Sequence, residues 1–319
     1  MTTPRRALIT GGAGFIGSTV ADAFIAEGHA VTVLDDLSSG KREQVPAKAD
    51  FVQADIRSPE AAACIRDGAF DVVCHLAAQI DVRKSVSDPA YDVDVNIGGS
   101  VNIMHAVHAS GQKKPARMIF ASTGGAVYGD FVEPPNLETY AKDPESPYGI
   151  AKFATELYLA YYARVQGLDY IALRFANVFG PRQDPHGEAG VVAIFCQRII
   201  DGKPLTVFGD GGQTRDYVYV GDVARAHVLA AKLPAIPAGR VDDRAFNLGT
   251  QRETSVTELA NTLMRAAGKQ VSLSHAPARA GEQRRSVVSI AKATERLGWT
   301  PQVSLEDGLR RTYDWFSSR

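Results

Sequence analysis

The sequence predicts an α/β fold, in which a doubly wound parallel sheet is followed by a smaller C-terminal α/β part. Over the first 175 residues, short apolar runs alternate with amphipathic stretches. The runs are nearly continuous and rich in β-branched and aromatic residues, as expected for strands buried on both faces. Strand and helix in regular alternation indicate parallel strands joined by right-handed crossovers.

The predicted elements follow one another without long gaps. The strand runs are "RALIT" (6–10), "AVTVLDD" (30–36), "DFVQADI" (50–56), "FDVVCHLAA" (70–78), "RMIFAST" (117–123) and "YIALRFAN" (170–177). Helical patterns lie between them, and each ends at a glycine that suits a C-cap. These helices are 15–28, ending at Gly28; 92–110, before Gly111; and 147–166, before Gly167.

After residue 177 the alternation loosens. The predicted elements are helix 191–201, a hairpin-like segment "KPLTVFGDGGQTRDYVYV" (203–220), helices 221–232 and 255–267, strand 270–275 and helix 304–317. We therefore expect a cofactor domain over 1–176 and a substrate domain over 177–319. Segments from roughly 216 to 250 are expected to return to the first domain.

Composition excludes several classes of function. The 319 residues carry a formal net charge of -1, which gives no reason to expect nucleic acid or an anionic membrane as partner. No apolar run of 18 residues predicts a transmembrane helix, and the N-terminus lacks the features of a signal peptide. The three cysteines form no Cys-x-x-Cys pair, and Cys74 lies in an apolar run. A free, buried Cys74 and a reducing cytoplasm fit this pattern.

A glycine-rich turn follows the first strand. "LITGGAGFIG" places Gly11, Gly14 and Gly17 between that strand and a helix. Glycines there allow a tight turn and close approach of the backbone to a pyrophosphate, and the helix N-terminus offers free N–H groups. An ordinary strand-to-helix turn is the alternative. The pattern favours a Rossmann-type dinucleotide site.

The ends of the next three strands strengthen this hypothesis. Asp35 closes the second strand, where a carboxylate accepts hydrogen bonds from both ribose hydroxyls and repels a 2′-phosphate, so NAD is favoured over NADP. Asp55 could meet the adenine amino group. Ala77 and Ala78 would let backbone and dinucleotide touch. Solvated strand-end residues are the alternative in each case.

"SPYGIAK" (146–152) predicts the catalytic pair. Ser146 suits an N-cap and Pro147 the first helical position, which puts Tyr148 and Lys152 at i and i+4 on one helical face. For a phenol of pKa about 10 to act as a base near neutrality, its pKa must fall by about 3 units. The Lys152 ammonium, the helix N-terminus and an oxidised nicotinamide would all favour that fall. By itself, Tyr-x-x-x-Lys is more often a surface pair.

A hydroxyl pair completes the predicted site. "FASTGGAVYG" (120–129) places Ser122 and Thr123 at the carboxyl end of the fifth strand, the edge where open α/β sheets hold ligands. Either hydroxyl could share the substrate proton with Tyr148, and a simple Ser/Thr cap is the alternative. No third ligand is spaced to join His105 and His108, so no metal site is expected. His75 fits a hydrogen-bonding residue at a strand end.

With these motifs in place, the chain resembles the extended short-chain dehydrogenases/reductases, and within them the UDP-glucose 4-epimerases. The matching segments include "TGGAGFIGS", "LDDLSSGK", "HLAAQ", "LRFANVFGPRQ", "FGDGGQTRDYVYVGDVA", "RAGEQRRS" and "LGWTPQVSLEDGLRRT". They run from residue 10 to 312. The cofactor-binding residues expected from turn and resemblance together are Gly11, Gly14, Phe15, Ile16, Gly17, Asp35, Asp36, Asp55, Ile56, Ala77, Ala78, Tyr148 and Lys152.

The resemblance implies roles for further residues. Tyr148 would be the acid/base on the sugar 4-hydroxyl, Lys152 would hold the nicotinamide ribose, and Thr123, with Ser122 as the second choice, would hydrogen-bond the 4-oxygen. The expected substrate-binding residues are Asn177, Arg215, Arg279, Glu282 and Ser286. Of these, Asn177 and the two arginines would meet the diphosphate, and Glu282 would stand where the family has an Asp on the uridine ribose.

The implied reaction inverts C4 of a UDP-hexose. Hydride passes to NAD, the 4-keto sugar turns over while its diphosphate stays anchored, and hydride returns to the opposite face. Related dehydratases and decarboxylases carry acidic residues after the threonine, where this chain has Gly124 and Gly125. A UDP-uronate 4-epimerase stays open, and so does a non-catalytic NAD-binding sensor.

Two further expectations concern breadth and assembly. The small side chain of Ser286, counted without gaps from Arg279, stands where a bulky aromatic excludes N-acetyl sugars in the family. UDP-N-acetylhexosamines are therefore expected as substrates. The resemblance also implies a homodimer in which helices 92–110 and 147–166 pair across a two-fold axis.

Overall fold

A parallel seven-stranded sheet forms the centre of the computed structural model, which describes residues 5–113, 115–185, 190–278 and 283–319. The strands are β1 (Arg6–Thr10), β2 (Ala30–Asp35), β3 (Asp50–Gln53), β4 (Val72–His75), β5 (Arg117–Thr123), β6 (Tyr170–Phe175), β7 (Asn177–Phe179), β8 (Leu205–Phe208), β9 (Thr214–Arg215), β10 (Tyr217–Tyr219), β11 (Ala245–Leu248), β12 (Thr254–Ser255), β13 (Leu273–Ala276) and β14 (Arg285–Ser286). The sheet order is β11-β6-β5-β4-β1-β2-β3.

Helices cover both faces of this sheet. They are α1 (Phe15–Ala26), α2 (Pro59–Asp67), α3 (Val82–Ser87), α4 (Pro89–Val93), α5 (Ser100–His108), α6 (Pro147–Gln166), α7 (Val191–Ile200), α8 (Val220–Lys232), α9 (Val256–Ala267) and α10 (Leu305–Ser317). Alternate residues of β1 point to opposite faces, so Ile9 packs in one core with α1 and α8, while Leu8 packs in another with α2, α5 and α6. The predicted doubly wound α/β fold is confirmed.

Strand burial explains why the apolar runs are continuous. All six residues of β6 are buried, and β5 and β6 pair in parallel over six positions, from Met118 with Tyr170 to Thr123 with Phe175. The runs predicted at 50–56 and 70–78 leave the sheet early, at Gln53 and His75, because the residues that follow line a cleft at the carboxyl edge. The seventh strand, β11, comes from beyond residue 177 and pairs in parallel with β6.

Helix ends follow the local sequence. The Ser146 side chain accepts a hydrogen bond from the Gly149 N–H, Pro147 opens α6, and Gly167 ends it with φ +72°. The prediction of helix 147–166 is confirmed. Ser58 caps α2 in the same way, with Pro59 next in the chain. This helix was not predicted, although it carries the same Ser-Pro start.

The prediction of a helix over 92–110 is largely confirmed, but its start and its regularity differ from the prediction. The helical stretch begins earlier, with α4 capped by Asp88, and residues 94–99 form a π-helical segment before α5 starts at Ser100. The Asn96 carbonyl accepts hydrogen bonds from the Ser100 hydroxyl at 2.6 Å and the Thr155 hydroxyl at 3.2 Å. These side chains compete with the regular backbone ladder, and hydrophobic periodicity does not reveal such competition.

The hairpin-like segment 203–220 is also corrected. Its strands do not pair with one another: β8 pairs with β13 and β10 with β7, both in parallel, while β9 lies between β12 and β14. Gly209 and Gly211 have positive φ and turn the chain, so the local pattern resembles a hairpin. The actual partners are distant in sequence, which explains the error.

Two smaller points complete the fold. The thiols of Cys64, Cys74 and Cys196 are all free, and Cys74 is fully buried, as predicted. Within the described ranges, none of the helices has both the length and the apolar character needed to cross a membrane.

Candidate active site

The glycine turn packs too tightly for any side chain. Gly11 has φ +71°, and a Cβ there would lie 2.6 Å from the Ala77 nitrogen. A Cβ on Gly17 would lie 2.1 Å from the Gly11 carbonyl oxygen. The N-cap of α1 is Gly14, which has no side chain to cap the helix. The first N–H groups of the helix therefore stay available to a ligand.

Asp35 is fixed at the end of β2 against this turn. Its Oδ2 accepts a hydrogen bond from the Ala13 N–H at 3.0 Å, and its Oδ1 accepts one from the Leu37 N–H at 2.8 Å. Burial raises the pKa of Asp35, and these two hydrogen bonds partly offset the effect. The carboxylate therefore holds one orientation beside the turn.

Asp55 has a partner that the sequence did not predict. The Arg57 guanidinium contacts both carboxylate oxygens of Asp55, with its Nη2 at 2.5 Å from Oδ2, and its Nη1 lies 2.5 Å from Asp94. Hydrogen bonding to Arg57 lowers the pKa of Asp55. The carboxylate is thus kept ionised and oriented at the end of β3.

His75 anchors the end of β4 in its neutral form. Burial, together with the nearby Lys152 charge, lowers the His75 pKa to about 3. The Ser100 hydroxyl donates to the Asn96 carbonyl, so His75 Nε2 must donate to Ser100 Oγ, 2.9 Å away. His75 Nδ1 then accepts from the Thr10 hydroxyl at 2.7 Å. The prediction that His75 is a hydrogen-bonding residue at a strand end is confirmed.

These strand ends converge on one cleft of about 480 Å³. Every residue predicted to bind the cofactor lines it: Gly11, Gly14, Phe15, Ile16, Gly17, Asp35, Asp36, Asp55, Ile56, Ala77, Ala78, Tyr148 and Lys152. A turn without Cβ atoms, an uncapped helix N-terminus and acids at two strand ends are the features a dinucleotide needs. The residues present therefore fit NAD.

Tyr148 and Lys152 face this cleft from the first turns of α6. The Tyr148 N–H donates to the Ser85 hydroxyl at 3.3 Å, which ties the helix start to α3. Lys152 is only 4% exposed, its Nζ lies 5.8 Å from the centroid of the Tyr148 ring, and it donates to the Ala121 carbonyl at 3.0 Å. The i, i+4 spacing thus brings the two side chains together.

The pKa values of this pair differ from the expectation. Burial raises the Tyr148 pKa, and the nearby Asp92 carboxylate raises it further. Burial lowers the Lys152 pKa to about 8, against the opposing effects of Asp92 and Glu156. The expected fall in the Tyr148 pKa is therefore not seen without the cofactor, because burial and the Asp92 carboxylate both raise that pKa.

Ser122 and Thr123 have different surroundings. The Ser122 hydroxyl donates to Glu156 Oε1 at 2.5 Å. Glu156 forms a fully buried ion pair with Arg174, whose Nη2 lies 2.6 Å from Glu156 Oε2. The Ser122 proton is therefore committed to this network. Thr123 follows at the end of β5 and is only partly buried.

Two predicted substrate-binding residues, Asn177 and Ser286, and the predicted catalytic residue Thr123 lie around Gly125. A Cβ placed there would lie 3.7 Å from Asn177 Oδ1 and 3.8 Å from both Ser286 Oγ and Thr123 Oγ1. Arg215 is the register partner of Ser286 across the β9–β14 pair. Four segments that are distant in sequence thus meet here. The predicted residues Arg279 and Glu282 lie outside the described residues.

The buried network of Glu156 and Arg174 behind Ser122 was not predicted, although the sequence contains an indication of it. Arg174 is a charged residue inside the otherwise apolar run of β6, and its Nη1 also donates to the Tyr128 hydroxyl at 3.0 Å. Glu156 lies eight residues after Tyr148 on α6. A charged side chain in a buried strand needs a buried partner of opposite charge, so Arg174 alone indicates that such a partner exists.

Comparison with known proteins finds relatives that match nearly the whole chain and nearly their own whole length. The chain is 46% identical to the UDP-glucose 4-epimerase of Thermotoga maritima solved with UDP-glucose, with a TM-score of 0.92 over 98% of this chain and 99% of that one. The Thermus thermophilus UDP-glucose 4-epimerase in complex with NAD is 43% identical, with a TM-score of 0.89 over 98% of both chains. The UDP-glucose 4-epimerase of Mycolicibacterium smegmatis is 43% identical over 98% of this chain and 99% of its own.

A protein-family model also matches most of the chain. Residues 7–249, well over half of the chain, match the model described as the NAD dependent epimerase/dehydratase family. That range includes the glycine turn, the strand-end acids and the tyrosine–lysine pair of α6. The chain belongs to the NAD dependent epimerase/dehydratase family.

Proposed function

We propose that this protein is an NAD-dependent UDP-glucose 4-epimerase that interconverts UDP-glucose and UDP-galactose. One observation carries the proposal: Tyr148 and Lys152 line the cleft that also contains the glycine turn and Asp35. The relatives that match nearly the whole chain are named UDP-glucose 4-epimerases, which supports a UDP-hexose as the substrate. A role in galactose metabolism, in the cytoplasm, is part of the proposal.

The cofactor is held by backbone and strand-end groups. The N–H groups at the start of α1 would hold its pyrophosphate, and Asp35 would accept hydrogen bonds from a ribose. Lys152 Nζ would hydrogen-bond the second ribose, and it supplies positive charge beside Tyr148. Bound NAD would supply the hydride acceptor and donor for C4 of the sugar, so the sugar would undergo no net oxidation.

Tyr148 moves the proton of the sugar 4-hydroxyl. Its phenolic oxygen takes that proton on oxidation and gives it back on reduction, while Thr123 hydrogen-bonds the 4-oxygen. Burial raises the Tyr148 pKa, so the Lys152 ammonium and the positive charge of an oxidised nicotinamide would both be needed to favour ionisation of the phenol.

The proposed diphosphate and sugar sites lie on the side of Thr123 where Asn177 and Ser286 are found. Asn177 and Arg215, with Arg279 from outside the described residues, bind the diphosphate, and Glu282 binds the uridine ribose. Gly124 and Gly125 cannot protonate a leaving group, which disfavours elimination. Ser286 leaves room for a 2-acetamido group, so UDP-N-acetylhexosamines are proposed as further substrates.

A homodimer through α6 is part of the proposal. Large apolar residues on the outer face of this helix remain exposed: Ile150 (53%), Leu157 (48%), Tyr158 (44%), Tyr161 (47%) and Val165 (59%). A second copy packing there would bury this face. Light scattering after size exclusion should give the dimer mass for the natural chain and the monomer mass for Leu157→Glu.

The deciding experiment offers three substrates separately: UDP-galactose, UDP-N-acetylgalactosamine and UDP-galacturonate. The proposal expects the 4-epimer of UDP-galactose, and none from Tyr148→Phe. Turnover of UDP-galacturonate alone would identify a uronate 4-epimerase instead. Release of water or carbon dioxide would indicate a dehydratase or decarboxylase. Nucleotide binding with no turnover of any substrate would indicate an NAD-binding sensor.

A further inference from the structure

Two adjacent glycines at the end of β5 differ in the space around them. A Cβ on Gly124 would lie 2.8 Å from Val288 Cγ1 and 3.2 Å from the Arg174 carbonyl oxygen, both closer than ordinary packing allows. Among the described residues, the nearest atom to a Cβ on Gly125 would be Asn177 Oδ1, at 3.7 Å. Neither residue has a positive φ. Packing therefore requires a glycine at 124, whereas neither the backbone nor packing requires one at 125.

The space at Gly125 that would take a methyl group lies among groups that the proposed reaction uses. Its nearest atoms belong to Asn177, Ser286 and Thr123, which reach it from β7, β14 and the end of β5. All three are uncharged and able to hydrogen-bond. A methyl group at position 125 would project between the hydroxyl assigned to the 4-oxygen and the small side chain assigned to the 2-substituent.

We propose that Gly125 is a specificity-determining residue, whose missing side chain leaves room for the 2-acetamido group of a UDP-N-acetylhexosamine. This inference rests on the proposed epimerase function. An acetamido group offers one N–H donor and one carbonyl acceptor, which suit the Asn177 amide oxygen and the Ser286 hydroxyl. A uronate carboxylate would instead need a cation as it loses water, and none is among these three neighbours.

The test compares Gly125→Ala with Gly124→Ala. Since a methyl at 125 meets only ordinary contacts, the Gly125→Ala melting temperature should equal or slightly exceed that of the natural chain. The ratio of kcat/KM for UDP-N-acetylgalactosamine to that for UDP-galactose should fall by about 10- to 200-fold, the usual effect of one methyl group in a pocket. Gly124→Ala should lower the melting temperature and leave that ratio unchanged.

Calorimetry of UDP-N-acetylglucosamine binding gives a second readout that does not depend on turnover. Its Kd should rise in Gly125→Ala relative to the Kd of UDP-glucose. An unchanged ratio of affinities, or an equal loss with both sugars, would overturn the inference.

The two proposals fail in different ways. If the natural chain epimerises UDP-galactose but neither binds nor turns over N-acetyl sugars, the inference about Gly125 is wrong and the proposed function stands. If it epimerises no nucleotide sugar, the proposed function is wrong, and calorimetry still decides whether Gly125 governs binding of the acetamido group.

Discussion

The buried ion pair between Glu156 and Arg174 makes a sharp prediction about stability. Both side chains are fully buried, and Glu156 is the main anion that balances Arg174. Glu156→Gln removes that charge and places an amide N–H₂ toward guanidinium N–H groups. Breaking one side of a buried pair costs about 3–5 kcal/mol. Asp242, whose Oδ1 remains 2.9 Å from Arg174 Nη2, puts the expected loss near 3 kcal/mol.

This loss converts to a change in melting temperature. At about 2.1 cal/mol/K per residue, a chain of 319 residues has an unfolding entropy of roughly 0.7 kcal/mol/K, so Tm should fall by about 4–5 °C. Calorimetry of the natural chain and the variant measures it. Asp210→Asn, which breaks an exposed pair with Arg284, is the control and should leave Tm unchanged. A fall below about 1 °C in Glu156→Gln would refute the account of Arg174.

Three further predictions concern the cleft. Thr123→Ala should lower kcat/KM for UDP-galactose by about 100- to 1000-fold, the effect of losing one donor to the reacting oxygen. Ser122→Ala should lower it much less and destabilise the fold, and the reverse ranking would contradict the assignment. Gly17→Ala should abolish NAD binding, measured by calorimetry, because its Cβ would lie 2.1 Å from the Gly11 carbonyl oxygen; retained affinity would disprove the tight turn. Because burial lowers the Lys152 pKa to about 8, its ammonium is lost above that pH and kcat/KM should fall; a flat profile to about pH 9.5 would show that this charge is not needed.

The parts of the fold that sequence analysis predicted are local ones. The continuous apolar runs of β1 and β5, the glycine turn and the Ser-Pro start of α6 each depend on a few neighbouring residues. Their boundaries were predicted correctly or nearly so. The predicted cofactor residues line one cleft for a different reason, which is that the carboxyl ends of parallel strands meet at one edge of the sheet.

The rest depends on contacts between distant segments. β8 pairs with β13 and β10 with β7, and no pattern within 203–220 reveals those partners. The Tyr148 pKa depends on burial and on Asp92, which lies in a different helix. The space around Gly125 depends on three segments that are far apart in the chain. The roles of the individual site residues remain predictions until the variants are measured.

The position of β11 at the sheet edge has a consequence for synthesis on the ribosome. Phe175 completes β6, but its outer neighbour is finished only at Leu248, 73 residues later. At about 5–20 residues per second, the nascent chain exposes an apolar, unpaired edge for roughly 4–15 s. Ribosomes that pause within that interval should therefore release a more aggregation-prone product than ribosomes that pause after it.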